Sequence, residues 1–253
     1  MIEQEFRGNT LWITLTRPEK RNALTKAGWE QLAEALDTAS SSANAAVITG
    51  TEGSFCAGDD INLFAEAETA DDVDELCHHI YNGLQGIEST SIPVIAAVNG
   101  VAHGGGCEMV AACDLAVATE AAEFALPETR IGAVPSYMVE RVAPTASKKR
   151  IMELILTGES INAERAREWG LVNRVVDDQS LDSAVEEYVQ AISKSPKRAI
   201  ALSKRHVTNR LREPGELERQ IGNNAYAQIA SESNEGVAAF LEKRKPSFDD
   251  TTE

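Results

Sequence analysis

The chain has 253 residues, 43% hydrophobic and 25% charged, which is enough for one sizeable core and ordinary for a globular protein. Its formal net charge of −16 argues against nucleic acid and anionic lipid as partners, because an acidic surface repels both. The four cysteines, Cys56, Cys77, Cys107 and Cys113, show no paired or metal-like spacing, so buried free thiols are expected and neither a disulfide framework nor a metal site.

In chain order, the acidic start Met1–Glu5 lacks the bases of a signal peptide, and the longest apolar stretch, Ile92–Val98, is too short to span a bilayer. A cytoplasmic protein is expected. Thr10–Thr16 alternates with a period of two and reads as a strand. Arg17–Asn22 is a Pro-punctuated loop, and Leu24, Trp29, Leu32 and Leu36 lie at helical spacing. Ala45–Thr49, Ile92–Val98 and Leu115–Ala118 are short, continuously apolar runs between helical patterns, as buried strands of an α/β protein are. His78 and His79, in an acidic helix-like stretch, read as structural or exposed. From Lys148 onward the pattern is mainly helical. A helix ends at Thr157-Gly158, another starts near Ser160, and Val172–Val176 forms a late strand. Ala184–Ser193, Lys197–Arg210, Glu216–Ile229 and Glu235–Lys243 read as helices before an acidic tail, Asp249–Glu253. The basic clusters at 17–21, 148–150 and 243–245 read as solvated faces, with a phosphate pocket as the alternative.

The chemistry concentrates around Gly104-Gly105-Gly106-Cys107-Glu108, which follows a strand and opens a helical segment. A helix start offers unpaired N–H groups and a positive dipole end, so it can hold a phosphate or a developing oxyanion. Tight helix–strand packing explains the glycines equally well. Ser54–Ile61 contains a second Gly-centred turn, Gly58-Asp59, that could supply a second N–H. Glu108 in the first helical turn and Glu128, twenty positions later, are two carboxylates suited to acid/base work beside a carbonyl.

Several segments together resemble the crotonase, or enoyl-CoA hydratase/isomerase, family. They are Arg17–Leu24, Phe55–Ile61, Pro93–Gly100, Gly104–Glu108, Ala111–Asp114, Leu126–Glu128, Leu156–Gly158, Ala166–Asn173 and Phe240–Pro246. The resemblance covers nearly the whole chain. It implies an α/β fold: a ββα spiral core over 1–195 that carries an acyl-CoA site, then a helical oligomerisation region over 196–253 that builds trimers or dimers of trimers. It implies an oxyanion hole from the backbone N–H groups of Asp59 and Gly105, with Glu108 and Glu128 as the catalytic pair. Arg21, Asn22, Ala23 and Leu24, with Ala57, Asp60 and Ile61, correspond to the CoA cradle. Phe240 and Lys243 correspond to the place where a neighbouring subunit completes it. Coenzyme A is part of the substrate, and no further cofactor is implied.

The chain departs from the usual hydratases after Ile131–Pro135. Ser136-Tyr137-Met138-Val139-Glu140-Arg141-Val142 replaces a glycine-rich run at the acyl end of the pocket, so an unmodified straight-chain substrate is in doubt. Tyr137, on the substrate side, is expected to fill space there, with a hydroxyl contribution as the alternative. The Asp59 carboxylate is expected to point away from the hole, and His103 to serve in packing or support. Hydration of an enoyl-CoA is the leading expectation. Isomerisation, C–C cleavage or decarboxylation on the same hole is the alternative, and a non-catalytic or RNA-binding member is disfavoured by the charge.

Overall fold

The computed structural model describes residues 1–66, 69–142 and 147–212, together with Glu242, Arg244 and Ser247, without the side chains of 64–66, 70–74, 140 and 209–212. Phe240, Lys243 and the helices expected over 216–229 and 235–243 lie outside the described residues.

β1 (Ile2–Arg7) and β2 (Thr10–Leu15) form a hairpin. α1 (Lys26–Ser42) follows, capped by Thr25, whose hydroxyl accepts from Gly28 N–H at 3.2 Å. A stacked pattern then repeats three times. β3 (Ala45–Gly50), β5 (Val94–Val98) and β7 (Leu115–Thr119) join a six-stranded sheet of order β1-β2-β3-β5-β7-β10. Each is followed within a few residues by a short strand of a second sheet, ordered β4-β6-β8-β9: β4 (Ser54–Cys56), β6 (Val101–His103) and β8 (Glu123–Ala125). Helices α2 (Ile61–Glu66) and α3 (Ala70–Ser89) close the first repeat and α4 (Gly105–Ala112) the second, which is the ββα spiral.

The chain continues through α5 (Lys148–Thr157), β9 (Ile161–Asn162), α6 (Ala163–Trp169), β10 (Arg174–Val176), α7 (Leu181–Ile192) and α8 (Lys197–Arg212). Asn162, not Ser160, caps α6 by accepting from Arg165 N–H. β10 is shorter than the run at 172–176 suggested, because Asn173 is used to bond Ala116 N–H at the sheet margin.

β5 is buried on both faces, which is why it reads as a continuous apolar run. The main core lies between the large sheet and α1, α3 and α4. A second cluster, with Trp12, Val47, Ile95 and Val117, packs under α7 through Leu181, Ala184 and Val185. Lys204 of α8 is buried. It pairs with Asp114 at 2.7 Å and donates to Ile87 and Ile92 carbonyls at 2.9 Å each. Among the described residues, no helix is long and apolar enough to cross a membrane. None of the four cysteines forms a disulfide. Cys56 and Cys107 are buried, but Cys77 is exposed, contrary to expectation, because it sits on the face of α3 that turns towards a cavity.

Candidate active site

The loop from Arg17 to Leu24 is tied to the turn after β4. Leu24 N–H donates to Gly58 O and Asp60 N–H to Leu24 O, both at 2.8 Å, forming a parallel bridge between Leu24 and Asp59. In such a bridge the central residue's own N–H faces the opposite side. The Asp59 N–H therefore points away from Leu24. Gly58 has φ +97°, and a Cβ there would lie 2.9 Å from His103 O and 3.1 Å from Gly105 N. That close approach sets the Gly58-Asp59 turn against Gly105, the first residue of α4, whose N–H has no partner within the helix. Gly106 is required by contact rather than by dihedral: a Cβ would lie 2.1 Å from Cys56 O. The packing reading of the triplet thus holds at Gly106. The triplet packs helix on strand, and it brings two turns together.

Glu108, the fourth residue of α4, is buried. One carboxylate oxygen accepts from Met138 N–H at 2.9 Å, so the Ser136–Val142 segment anchors it. That segment begins helically and forms a π-helical turn over Met138–Val142. Burial pushes Glu108 up to about 8, with the charges of Glu128 and Asp59 adding to the rise and the Met138 N–H opposing it. Glu128 opens a 3-10 turn after Pro127 and reaches over the head of α4, since a Cβ on Gly104 would lie 3.5 Å from its Oε1. Its own N–H is close by, yet neither buried carboxylate oxygen accepts a hydrogen bond of ordinary geometry. Burial pushes it up to about 7.

Asp59 departs from expectation. Its carboxylate does not point away. Oδ1 accepts from Trp29 Nε1–H at 2.7 Å, and Oδ2 lies 3.1 Å from where a Gly105 Cβ would be. The indole of α1 holds it in the site. Burial pushes this carboxyl up to about 6 against the Trp29 bond. Asp59, Glu108 and Glu128 line one cavity of about 470 Å³, together with Tyr137 and with Cys77, Ile80 and Tyr81 of α3. Tyr137 is buried within the core and walls this cavity, in keeping with space-filling.

The residues matched to the CoA cradle divide. Asn22 is fully buried, and its amide is spent on structure: Nδ2 donates to Ser54 O at 2.7 Å and Thr51 O at 3.1 Å, while Oδ1 accepts from Arg17 N–H at 2.9 Å. Asp60 is likewise structural, paired with Arg17 at 2.7 Å and accepting from Asn62 N–H. Leu24 and Ala23 are buried. Arg21 and Ile61 are exposed, and Ala57 donates to Arg21 O at 2.9 Å. His103 is half-buried beside Ser160 at 3.3 Å, and burial lowers its pKa. Trp29 and Met138 were not singled out as site residues by the sequence reading. Trp29 carries the same apolar periodicity as its core neighbours. The α3 lining does leave a trace, since Cys77, Ile80, Tyr81 and Leu84 share one helix face by spacing.

The model of a family described as enoyl-CoA hydratase/isomerase matches residues 5–251. The mevalonyl-coenzyme A hydratase of Aspergillus fumigatus is 37% identical over 94% of this chain and 90% of its own length. The 2,3-dehydroadipyl-CoA hydratase of Escherichia coli is 35% identical over 94% of each. The crystal structure of an enoyl-CoA hydratase from Mycobacterium smegmatis superposes with a TM-score of 0.91, at 31% identity and 98% coverage of both chains.

Proposed function

The chain belongs to the enoyl-CoA hydratase/isomerase family, and from that premise we propose that it adds water across the 2,3-double bond of an enoyl-CoA thioester. The observation that carries this reading is the carboxyl pair in one cavity beside the head of α4, with Glu128 pushed up to about 7 and Glu108 to about 8. Such a pair holds about one proton near neutral pH, and the two values belong to the pair rather than to either residue. Addition of water needs that count: one carboxylate to take a proton from water, one carboxylic acid to give a proton to the α-carbon. Charge builds on the thioester oxygen between those steps, and this reading assigns the N–H groups of Asp59 and Gly105 to receive it.

The nucleotide end of coenzyme A would run along Arg21, Ala23, Leu24, Ala57 and Ile61, through backbone and exposed surface rather than through the Asn22 amide or the Asp60 carboxylate. Phe240 and Lys243 from a neighbouring subunit would complete it in a trimer or a dimer of trimers. No cofactor beyond the substrate's own coenzyme A enters this chemistry.

Hydration of a panel of enoyl-CoA thioesters by the purified protein tests the reading. Glu108→Gln and Glu128→Gln are each expected to lower kcat by about 10²–10⁴. Variants as active as the parent would remove the two-carboxylate assignment. A second reading, double-bond isomerisation, is favoured by the asymmetry of the pair: Glu108 is anchored by Met138 N–H, whereas both Glu128 oxygens lack partners and could carry one proton between carbons. Mass spectrometry separates the two, since hydration adds the mass of water and isomerisation adds none.

A further inference from the structure

Three carboxyls, Asp59, Glu108 and Glu128, share the cavity, and no Lys, Arg or His is among the described residues that line it. The titratable groups whose charge acts with Asp59 are Cys56 on β4, Glu108 on α4 and Glu128 beyond β8, while Cys77 and Tyr81 of α3 and Tyr137 line the same cavity. The nearby Arg17 is committed to Asp60. Among the described residues of the cavity wall, nothing cationic therefore balances Asp59 once a negative charge forms on a thioester oxygen beside Gly105. An ionised Asp59 would repel that charge and would compete for the very N–H groups meant for it, its own included.

Resting on the oxyanion-hole reading above, we propose that Asp59 acts as a neutral acid, held by Trp29 against Gly105, and that its carboxyl O–H is a third hydrogen-bond donor to the thioester oxygen. Oδ1 is occupied as the acceptor of the indole N–H at 2.7 Å, which leaves the proton to Oδ2, the oxygen on the Gly105 side. Asp59 keeps this proton throughout. It donates a hydrogen bond, forms no bond to substrate, and leaves water and α-proton to the glutamates. Burial pushes Asp59 up to about 6, so it is largely ionised at neutral pH until an arriving negative charge and the loss of water raise it further.

The test compares Asp59→Asn, a neutral donor at every pH, with Asp59→Ala, which has no donor. The readouts are kcat/KM across pH with the best enoyl-CoA of the panel, and binding of acetoacetyl-CoA followed by the ultraviolet absorbance of its enolate. Asp59→Ala is expected to lose about 10² in kcat/KM at pH 6, and Asp59→Asn less than tenfold. The alkaline fall of the parent should move to higher pH in Asp59→Asn. It should also move up in Trp29→Phe, because the indole N–H favours the ionised form. At pH 8, Asp59→Asn should bind the enolate more tightly than the parent. Asp59→Ala matching the parent at all pH values, or Asp59→Asn falling as far as Asp59→Ala with an unmoved alkaline limb, would overturn the proposal. Loss of hydration in the Glu108→Gln and Glu128→Gln proteins keeps the underlying reading intact in that event, while their full activity would sink the reading itself.

Discussion

Burying Glu108 has a consequence for stability as well as for catalysis. Its folded-state pKa is raised above the value of 4.5 for a free glutamate to about 8. The folded protein therefore holds a proton that the unfolded chain releases. The penalty is absent below pH 4.5 and grows as pH rises from there through about 8. Glu108→Gln keeps an oxygen for Met138 N–H and removes the titration. It is expected to unfold at a higher temperature than the parent at pH 9, by on the order of a few kcal/mol of stability, with the gap closing at pH 4. Thermal melts at the two pH values check this, and an equal gap at both would refute it. Glu108 and Glu128 were legible in the sequence through their spacing from the glycine triplet. The orientation of Asp59 was not, because its partner Trp29 lies 30 positions away and reads as one more core residue of an amphipathic helix. The structural use of the Asn22 amide was hidden for the same reason, its acceptors lying 29 and 32 positions on.

Among elements, the strands of the large sheet announce themselves and those of the small sheet do not. β2 is rich in β-formers and buried at five of its six positions, and β5 is apolar over five, so both runs are long enough to stand out. β4, β6 and β8 have three residues each, too few for any period, yet they carry the turns that build the site. Their placement depends on the contact between α4 and β4 at Gly106. Gly106→Ala would drive a Cβ into Cys56 O, so the head of α4 must shift away from the Asp59 turn. Catalysis is expected to fall by at least 10², since displacing one oxyanion donor costs about 10²–10³. Circular dichroism should still show folded protein, and retained activity would mean that the turn is not held by this contact. Lys204 ties α8 to the end of α3 and the approach to β5. Lys204→Ala leaves the partly exposed Asp114 without its cation and two carbonyls without their side-chain donor. A loss of about 1–3 kcal/mol is expected from denaturant titration, and a change below about 0.5 kcal/mol would show that the Lys204 contacts contribute little to the fold.

For the whole molecule, the charge of −16 and an isoelectric point near 4.7 oppose the approach of coenzyme A, itself a polyanion. Raising ionic strength from about 0.01 to 0.15 M shortens the screening length from about 30 to 8 Å and weakens that long-range repulsion. KM for a CoA thioester is expected to fall over this range, while that of the neutral N-acetylcysteamine thioester stays flat. A rise with salt would instead mean that local bases such as Arg21 govern the approach. The three tryptophans are also distributed usefully. Trp12 lies under Arg7 at 4.0 Å on the α7 side of the large sheet, and Trp169 under Arg165 at 4.7 Å. Trp29 is bonded to a site carboxyl. Its indole is thus a built-in optical reporter: emission from a protein in which Trp12 and Trp169 are replaced by Phe should step with the charge of Asp59, and the step should shift when a ligand fills the cavity.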